Sequence, residues 1–105
     1  MKFEMAKTGN LLIVKVSGEL DHHFADEIRI RIDSELIKPP IRDILFDFNN
    51  LSFMDSSGIG FVLGRYRIAE SYGGNVEVVN LSERNCSMMR LAGLDRLVTL
   101  KTKRK

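Results

Sequence analysis

Strand-like and helix-like hydrophobic patterns alternate along this chain, and the alternation restricts its fold more than any other feature. Apolar residues alternate with polar ones, or cluster as branched residues, in five short segments, and they recur every three or four residues in three longer ones. We predict strands within 3–7, 11–16, 41–48, 76–79 and 97–100, and helices that begin near Asp21, Asp55 and Ser82. The order β-β-α-β-α-β-α-β predicts an α/β fold in which helices flank a small mixed β-sheet.

Turn residues separate these segments. Gly9-Asn10 predicts a tight turn between the first two strands, which makes that pair antiparallel. Pro39-Pro40 ends the first helix, and Gly73-Gly74 ends the second. The 105 residues predict a single domain without a linker, and we expect its basic end, residues 101–105, to be frayed.

Composition and charge exclude several classes of protein. The chain is 44% hydrophobic and 29% charged, as globular proteins are, and its longest apolar run, Leu11–Val14, is far too short to span a membrane. The single cysteine, Cys86, cannot form an internal disulfide. Of the 16 Lys and Arg residues, four lie in the last five positions, so the remainder of the chain is slightly acidic and lacks the basic face of a nucleic-acid binder. We therefore expect a cytoplasmic protein that binds neither membrane nor nucleic acid directly.

The segment Leu51–Gly64, LSFMDSSGIGFVLG, holds the most informative residues. Asp55, Ser56 and Ser57 lie where an extended segment turns into a helix. Backbone N–H groups at a helix start have no partner within the helix and attract anions, whereas Asp and Ser are also the usual helix caps. The cluster is therefore either an anion site or a simple cap.

Known catalytic motifs are missing from the sequence. The serines lack the Gly-x-Ser-x-Gly frame of hydrolases, and no glycine is followed by lysine as a P-loop requires. The only histidines, His22 and His23, are adjacent in a helix, where neighbouring side chains point about 100° apart and converge poorly on one metal ion. We predict neither an enzyme nor a metal site.

Three glycines, Gly58, Gly60 and Gly64, follow a strand and open a helix, which is close to the dinucleotide-binding fingerprint. The third glycine falls one residue late for that fingerprint, and the chain is too short for a second substrate lobe. Glycine lowers helix stability by up to about 1 kcal/mol per position relative to alanine, so the presence of three glycines in one helix requires an explanation. Two reasons are open: the Gly58–Gly64 turn cradles a nucleotide phosphate, or small residues let the helix pack closely on the sheet.

Three motifs resemble the anti-sigma factor antagonists of the STAS domain family: GELDHH at Gly18–His23, LSFMDSSGIG at Leu51–Gly60 and LGRY at Leu63–Tyr66. The similarity runs in order along essentially the whole chain, and the first two motifs favour the sporulation branch over the stress-response branch. The resemblance implies a small mixed sheet with helices, in agreement with the order derived above. Many relatives continue into a further C-terminal helix, whereas this sequence ends soon after Leu100, so either that helix is missing or the sequence is trimmed.

The resemblance also implies a phosphorylation switch, with Ser56, the first serine after the aspartate, as the phosphoacceptor. In the family, the unmodified protein binds an anti-sigma factor and thereby frees the sigma factor. That anti-sigma factor is also an ATP-dependent serine kinase, which ends binding by phosphorylating the antagonist, and a serine phosphatase restores the active form. ATP belongs to the kinase, so no cofactor is expected here. The implied partner-binding residues are Asp21, His22, Asp55, Ser56, Ser57, Gly58 and Gly60.

Overall fold

The computed structural model describes residues 2–103, and within this range it contains six strands, three α-helices and one 3-10 turn. In chain order the elements are β1 (Lys2–Thr8), β2 (Leu11–Leu20), α1 (His22–Leu36), β3 (Asp43–Asp47), β4 (Leu51–Met54), α2 (Ser56–Ser71), β5 (Val76–Leu81), α3 (Glu83–Leu91), the 3-10 turn (Leu94–Arg96) and β6 (Thr99–Thr102). The α/β class and the mixed sheet are confirmed. The observed order contains one strand, β4, that the sequence pattern did not predict.

The sheet has the order β1-β2-β3-β5-β6, and β4 pairs with β2 outside this path. β1 and β2 form the expected antiparallel hairpin, with Gly9 at a φ of +59° in its turn. All other strand pairs are parallel. β2 is long enough to take two parallel neighbours in succession, because β3 pairs with 11–15 and β4 with 18–20.

A turn and a bulge explain why β4 returns to β2. The carboxylate Oδ1 of Asp47 accepts a hydrogen bond from the backbone N–H of Asn49 at 3.0 Å, which stabilises the turn after β3. The N–H of Gly18 then donates to the carbonyl oxygen of Asn50 at 3.0 Å, and the register of β2 against β4 shifts at this point. Gly18 has a φ of +88°, a conformation that glycine adopts without strain.

The core lies on one face of the sheet, because every second residue of the central strands is buried. These residues are Leu12, Val14, Val16, Ile44, Phe46, Val76 and Val78. Helix α1 covers them with Ala25, Ile28, Ile32 and Leu36, whose spacings of three and four residues in the sequence predict this buried face. Burying one such aliphatic side chain contributes about 1.5–3 kcal/mol, so this layer provides much of the driving force for folding.

The buried faces of α2 and α3 differ from the predicted ones. We expected Ile59, Leu63, Tyr66 and Ala69 to face inward, but the buried residues of α2 are Gly58, Phe61, Val62, Arg65 and Ala69. In α3 we expected Cys86, Met89 and Leu91–Ala92 to face inward; Cys86 and Met89 are buried, whereas Leu91 is 90% exposed and Ala92 is exposed as well. The helical period of 3.6 residues was therefore predicted correctly, but the predicted buried face of α2 is rotated by about one residue from the observed one.

The basic end of the chain is more ordered than expected. β6 includes Lys101, whose Nζ lies 2.7 Å from Oε2 of Glu77, and the N–H of Lys103 donates to the carbonyl oxygen of Leu81 at 2.9 Å. The expectation of a frayed tail is thus wrong for 101–103, and its last two residues lie outside the described range. Among the helices within 2–103, none combines the length and apolar character needed to cross a membrane.

Candidate functional site

Two helix starts lie side by side at one edge of the sheet. Leu20 at the end of β2 pairs with Met54 at the end of the parallel strand β4. The next residue in each case is an aspartate that caps a helix: Oδ1 of Asp21 accepts from the N–H of Phe24 at 3.0 Å, and Oδ1 of Asp55 accepts from the N–H of Ser57 at 2.8 Å. The structure therefore brings the Asp21 turn beside the Ser56 turn, as the resemblance implied.

Ser56 is the first residue of α2 and is exposed, and no residue within 2–103 forms a hydrogen bond with its hydroxyl group. Ser57 is half-buried, Gly58 is buried and Gly60 is exposed. Because Asp55 provides the cap, both serine side chains are released from that role. This separates the two interpretations of the cluster: the aspartate stabilises the helix, and the Ser56 hydroxyl remains accessible.

Close packing explains only one of the three glycines. A Cβ atom at Gly58 would lie 2.5 Å from Sδ of Met54 and 3.3 Å from Cδ2 of Leu20, whereas one at Gly60 or Gly64 would meet nothing within 4 Å. All three glycines lie inside α2 and not in a turn. Beyond the first turn of a helix, the backbone N–H groups are already bonded within the helix. The N–H of Gly58, in the first turn, donates to the carbonyl oxygen of Asp55 at 3.0 Å, so the alternative of a phosphate cradle at Gly58–Gly64 lacks the free N–H groups that it requires.

A groove of about 220 Å³ runs between α1 and α2 next to this site. It is lined by His22, Ala25, Asp26, Arg29, Ser57, Gly60, Phe61 and Arg65. Arg65 is only 7% exposed, and its guanidinium lies 5.5 Å from the ring centre of Phe61. A charged group at this depth is costly unless it is paired, so its surroundings matter for the chemistry of the groove.

Arg65 faces one carboxylate, that of Asp33. Its Nε lies 2.7 Å from Oδ1 of Asp33 as an ion pair, and within 2–103 neither of these two atoms has a partner that satisfies the geometry of a hydrogen bond. Burial raises the pKa of Asp33 and lowers the pKa of Arg65, and in each case the attraction of the partner opposes the effect of burial.

The sequence pattern did not single out Arg65, because the face that it predicted to be buried in α2 is rotated by about one residue from the observed one. The available signal was its spacing: Arg65 follows Phe61 by four residues and precedes Ala69 by four, and both of these are buried. Residues four apart share one face of a helix. An arginine between two apolar residues of the buried face was thus a candidate for a buried charge.

A second cation flanks the site from α3. The guanidinium of Arg84 lies 3.5 Å from the carbonyl oxygen of Met54 and 5.6 Å from the ring centre of Phe53, which is 41% exposed. This places a positive charge and an accessible aromatic ring beside the junction of β4 and α2. The sequence pattern gave no indication of this contact, because it depends on how α3 packs against β4.

The histidine pair lies on the exposed start of α1. Nε2 of His22 is 3.5 Å from Oδ2 of Asp26, and the rings of His22 and His23 are 5.9 Å apart and tilted. In the part of the chain that the structure describes, no three His, Cys, Asp or Glu side chains come together as metal ligands. His22 contributes to the rim of the groove instead.

Comparisons with known proteins agree with this architecture. The STAS domain family model matches residues 2–105. An anti-sigma F factor antagonist from Paenibacillus polymyxa is 34% identical over 100 residues, which cover 95% of this chain and 86% of that protein. The structure of the anti-sigma factor antagonist SpoIIAA in its unphosphorylated form superposes with a TM-score of 0.84 at 33% identity, over 97% of this chain and 90% of the other. The phosphorylated form of the Bacillus cell fate determinant SpoIIAA gives a TM-score of 0.78 at 33% identity, over 97% and 93%.

The family match covers nearly the whole chain, and it coincides with the six-stranded mixed sheet and with the paired, aspartate-capped helix starts. The resemblance carried by the GELDHH and LSFMDSSGIG motifs is thereby confirmed. This chain belongs to the STAS domain family.

Proposed function

We propose that this chain is an anti-sigma factor antagonist whose unmodified form binds an anti-sigma factor, and that phosphorylation of Ser56 ends the binding. The similar protein of Paenibacillus polymyxa is named an anti-sigma F factor antagonist, and SpoIIAA has structures in both an unphosphorylated and a phosphorylated form. These relatives support the sporulation branch and support a switch that leaves the fold in place.

The observation that carries the proposal is the accessibility of the Ser56 hydroxyl. It lies at the first residue of α2, exposed and without a hydrogen bond to any residue within 2–103, while the helix is capped by Asp55. A kinase can reach such a hydroxyl without unfolding the helix. The partner-binding surface of the proposal combines the two adjoining turns: Asp21, His22, Asp55, Ser56, Ser57, Gly58 and Gly60.

A phosphate on Ser56 affects the fold and the interface in opposite ways. It adds about −1.5 to −2 charges, and the start of α2 stabilises such an anion by about 0.3–1 kcal/mol when it is exposed. In an interface the dianion loses its hydration beside the Asp21 and Asp55 carboxylates, and an unpaired buried charge costs several kcal/mol. Because about 1.4 kcal/mol is a tenfold change in affinity, the loss at the interface dominates.

The proposal assigns the chemistry to the partners. The anti-sigma factor is the serine kinase and carries the ATP, and a serine phosphatase removes the phosphate, so this chain needs no cofactor of its own. Its role is that of a cytoplasmic binding protein that is not an enzyme and acts on transcription through the anti-sigma factor, without direct contact with nucleic acid or membrane.

Binding of the purified anti-sigma F factor of Paenibacillus polymyxa, measured by isothermal titration, tests the switch. We expect Ser56→Asp to weaken binding at least tenfold with an unchanged circular dichroism spectrum, and Ser56→Ala to bind like the parent. Ser34→Asp is the matched control, because Ser34 is exposed near the other end of α1 and adds the same charge. If Ser56→Asp and Ser34→Asp bind equally well, the charge mechanism is wrong.

Incubation with the same anti-sigma factor and Mg-ATP, followed by site-resolved mass spectrometry, tests the residue assignment. The expected product carries one phosphate on Ser56 in the parent and none in Ser56→Ala. Modification at the half-buried Ser57 instead would refute the assignment.

A further inference from the structure

Arg65 presents hydrogen-bond donors that the chain itself does not use. Its Nε has no accepting partner despite the nearby Asp33 carboxylate, and no residue within 2–103 accepts a hydrogen bond from its other guanidinium nitrogens. A guanidinium has five N–H donors, and buried polar groups in native proteins are nearly always satisfied. Arg65 lines the groove between α1 and α2, so the guanidinium nitrogens other than the buried Nε are the ones that a ligand in this space can reach.

Gly60 forms the neighbouring part of the groove wall and leaves this part of it open. It is exposed, it lies within α2, and a Cβ atom there would contact nothing in the chain. Glycine inside a helix costs about 0.5–1 kcal/mol relative to alanine, so packing within this protein gives no reason for it. A bare backbone at this position allows an external group to approach closely.

On the basis of the proposed function, we infer that the groove receives an acidic side chain of the anti-sigma factor, whose carboxylate binds the guanidinium of Arg65. Carboxylates match the planar donor fork of arginine, and such charge-assisted bonds are among the strongest in proteins. The groove continues the proposed partner surface, since Ser57, Gly60 and His22 line it. Its volume of about 220 Å³ lies below the roughly 300–1,000 Å³ of pockets for drug-sized ligands, which favours a side chain over a nucleotide.

The charges at the groove mouth permit this occupant. Arg29 lies on the rim, and Asp26, the one acidic residue of the rim within 2–103, is 3.4 Å from Nε of Arg29 and 3.5 Å from Nε2 of His22. Asp33 is the carboxylate that already faces Arg65. An incoming carboxylate therefore gains unused donors of Arg65 and competes with Asp33 for its charge.

This occupant gives the phosphorylation switch a specific target. Ser56 and Gly60 are four residues apart in α2, so they are neighbours on the helix surface. A phosphate on Ser56 would then lie about one helical turn from Gly60, past which the partner segment that carries the carboxylate must run, whereas Arg65 itself is nine residues away, about 13 Å along the helix. The groove thus explains why a modification on the exposed first turn affects a contact anchored deeper between the helices.

Isothermal titration of the anti-sigma F factor of Paenibacillus polymyxa into variants of this chain tests the inference. We expect Arg65→Gln to weaken binding about 10- to 100-fold, and Asp33→Asn, which removes the competing carboxylate, to bind at least as tightly as the parent. Arg67→Gln, an exposed arginine on the same helix, is the matched control and should stay within about twofold. If Arg65 only maintained the fold, Arg65→Gln and Asp33→Asn would both weaken binding, and that result overturns the inference.

A glycine pair keeps the test valid if Arg65→Gln does not fold. Gly60→Ala should weaken binding at least tenfold, whereas Gly64→Ala, also free of contacts but outside the groove, should bind like the parent. Equal binding by the two variants overturns the inference. If they and all other variants bind as tightly as the parent, the groove has no role and the proposed function stands. If the parent does not bind, both proposals are wrong.

Titration with sodium phosphate and sodium acetate separates a free anion from a partner side chain. We expect neither salt to bind measurably at about 1 mM, which corresponds to the Kd of a weak ligand. Binding of free phosphate that Arg65→Gln abolishes, combined with unchanged affinity of that variant for the anti-sigma factor, would assign the groove to a free anion and overturn the inference.

Discussion

Two glycines two residues apart in α2 should respond to the same substitution with opposite signs. At Gly58 an added methyl group would overlap the Met54 side chain, with 2.5 Å to its Sδ, and would approach Leu20 Cδ2 to 3.3 Å. Met54 and Leu20 are both fully buried, so neither can move into solvent. At Gly60 the same methyl group meets no atom within 4 Å.

The magnitudes follow from two competing terms. Overpacking a close-packed core costs about 1–3 kcal/mol, and replacing a helical glycine by alanine returns at most about 1 kcal/mol. We therefore expect Gly58→Ala to lower the free energy of unfolding by about 1 kcal/mol, and Gly60→Ala to raise it by about 0.5–1 kcal/mol. The two variants should differ by about 2 kcal/mol, which is roughly 1 M in urea midpoint for a domain of this size.

Equilibrium urea unfolding, followed by circular dichroism, measures this difference without the partner. Truncation of the Met54 side chain provides the control, since Gly58→Ala should lower the free energy of unfolding by less in the Met54→Ala background, as a double-mutant cycle measures. If Gly58→Ala is as stable as Gly60→Ala, the close approach of α2 to the ends of β2 and β4 is wrong, and so is the explanation given for Gly58.

Further measurements test the electrostatics of the helices. Asp21→Ala removes the cap of α1 and should lower the free energy of unfolding by about 0.5–2 kcal/mol in urea. The pKa of Glu35 is lowered from 4.5 to about 2, mainly by a hydrogen bond from Lys38. The contribution of ionised Glu35 to the stability of the fold is therefore complete above pH 4.5 and is lost as the pH falls through about 2. The difference in urea midpoint between the parent and Glu35→Gln should accordingly shrink below pH 4.5. The Tyr66 hydroxyl donates to Oε2 of Glu70, which raises the pKa of Tyr66 above its ordinary value, and Glu70→Gln should lower that pKa in an ultraviolet titration.

The parts of the fold that depend on local pattern were predictable. The turn at Gly9-Asn10, the cap at Asp21 and the buried stripe of α1 follow from spacing and cap chemistry, and all three occur in the structure. β4 was missed because four residues after a turn carry no clear period and because its pairing depends on a bulge in β2 at Gly18. A contact between segments distant in sequence cannot be read from either segment alone.

The same distinction holds for the candidate site. The juxtaposition of Asp21 and Asp55 rested on a resemblance, and it follows physically from the pairing of Leu20 with Met54. Arg65 was missed for a different reason: the buried face predicted for α2 was rotated by about one residue and did not include it. Its burial depends on how α1 packs against α2, which single-helix periodicity does not specify.

Asp55 caps α2 whereas Ser56 carries the proposed phosphorylation site, and this separation of roles connects the stability of the helix to the proposed switch. Had Ser56 been the cap, a phosphate on its oxygen would have altered the hydrogen bond that holds the start of α2, and modification would have changed fold and interface together. Because Asp55 accepts the hydrogen bond from the N–H of Ser57 instead, the side-chain oxygen of Ser56 takes no part in capping the helix. Gly58 lets the start of α2 pack closely against buried Met54, so the Ser56 hydroxyl lies at the surface next to the core. A chain built this way can gain two negative charges at its surface while its core remains unchanged, which is the property that a reversible binding switch requires.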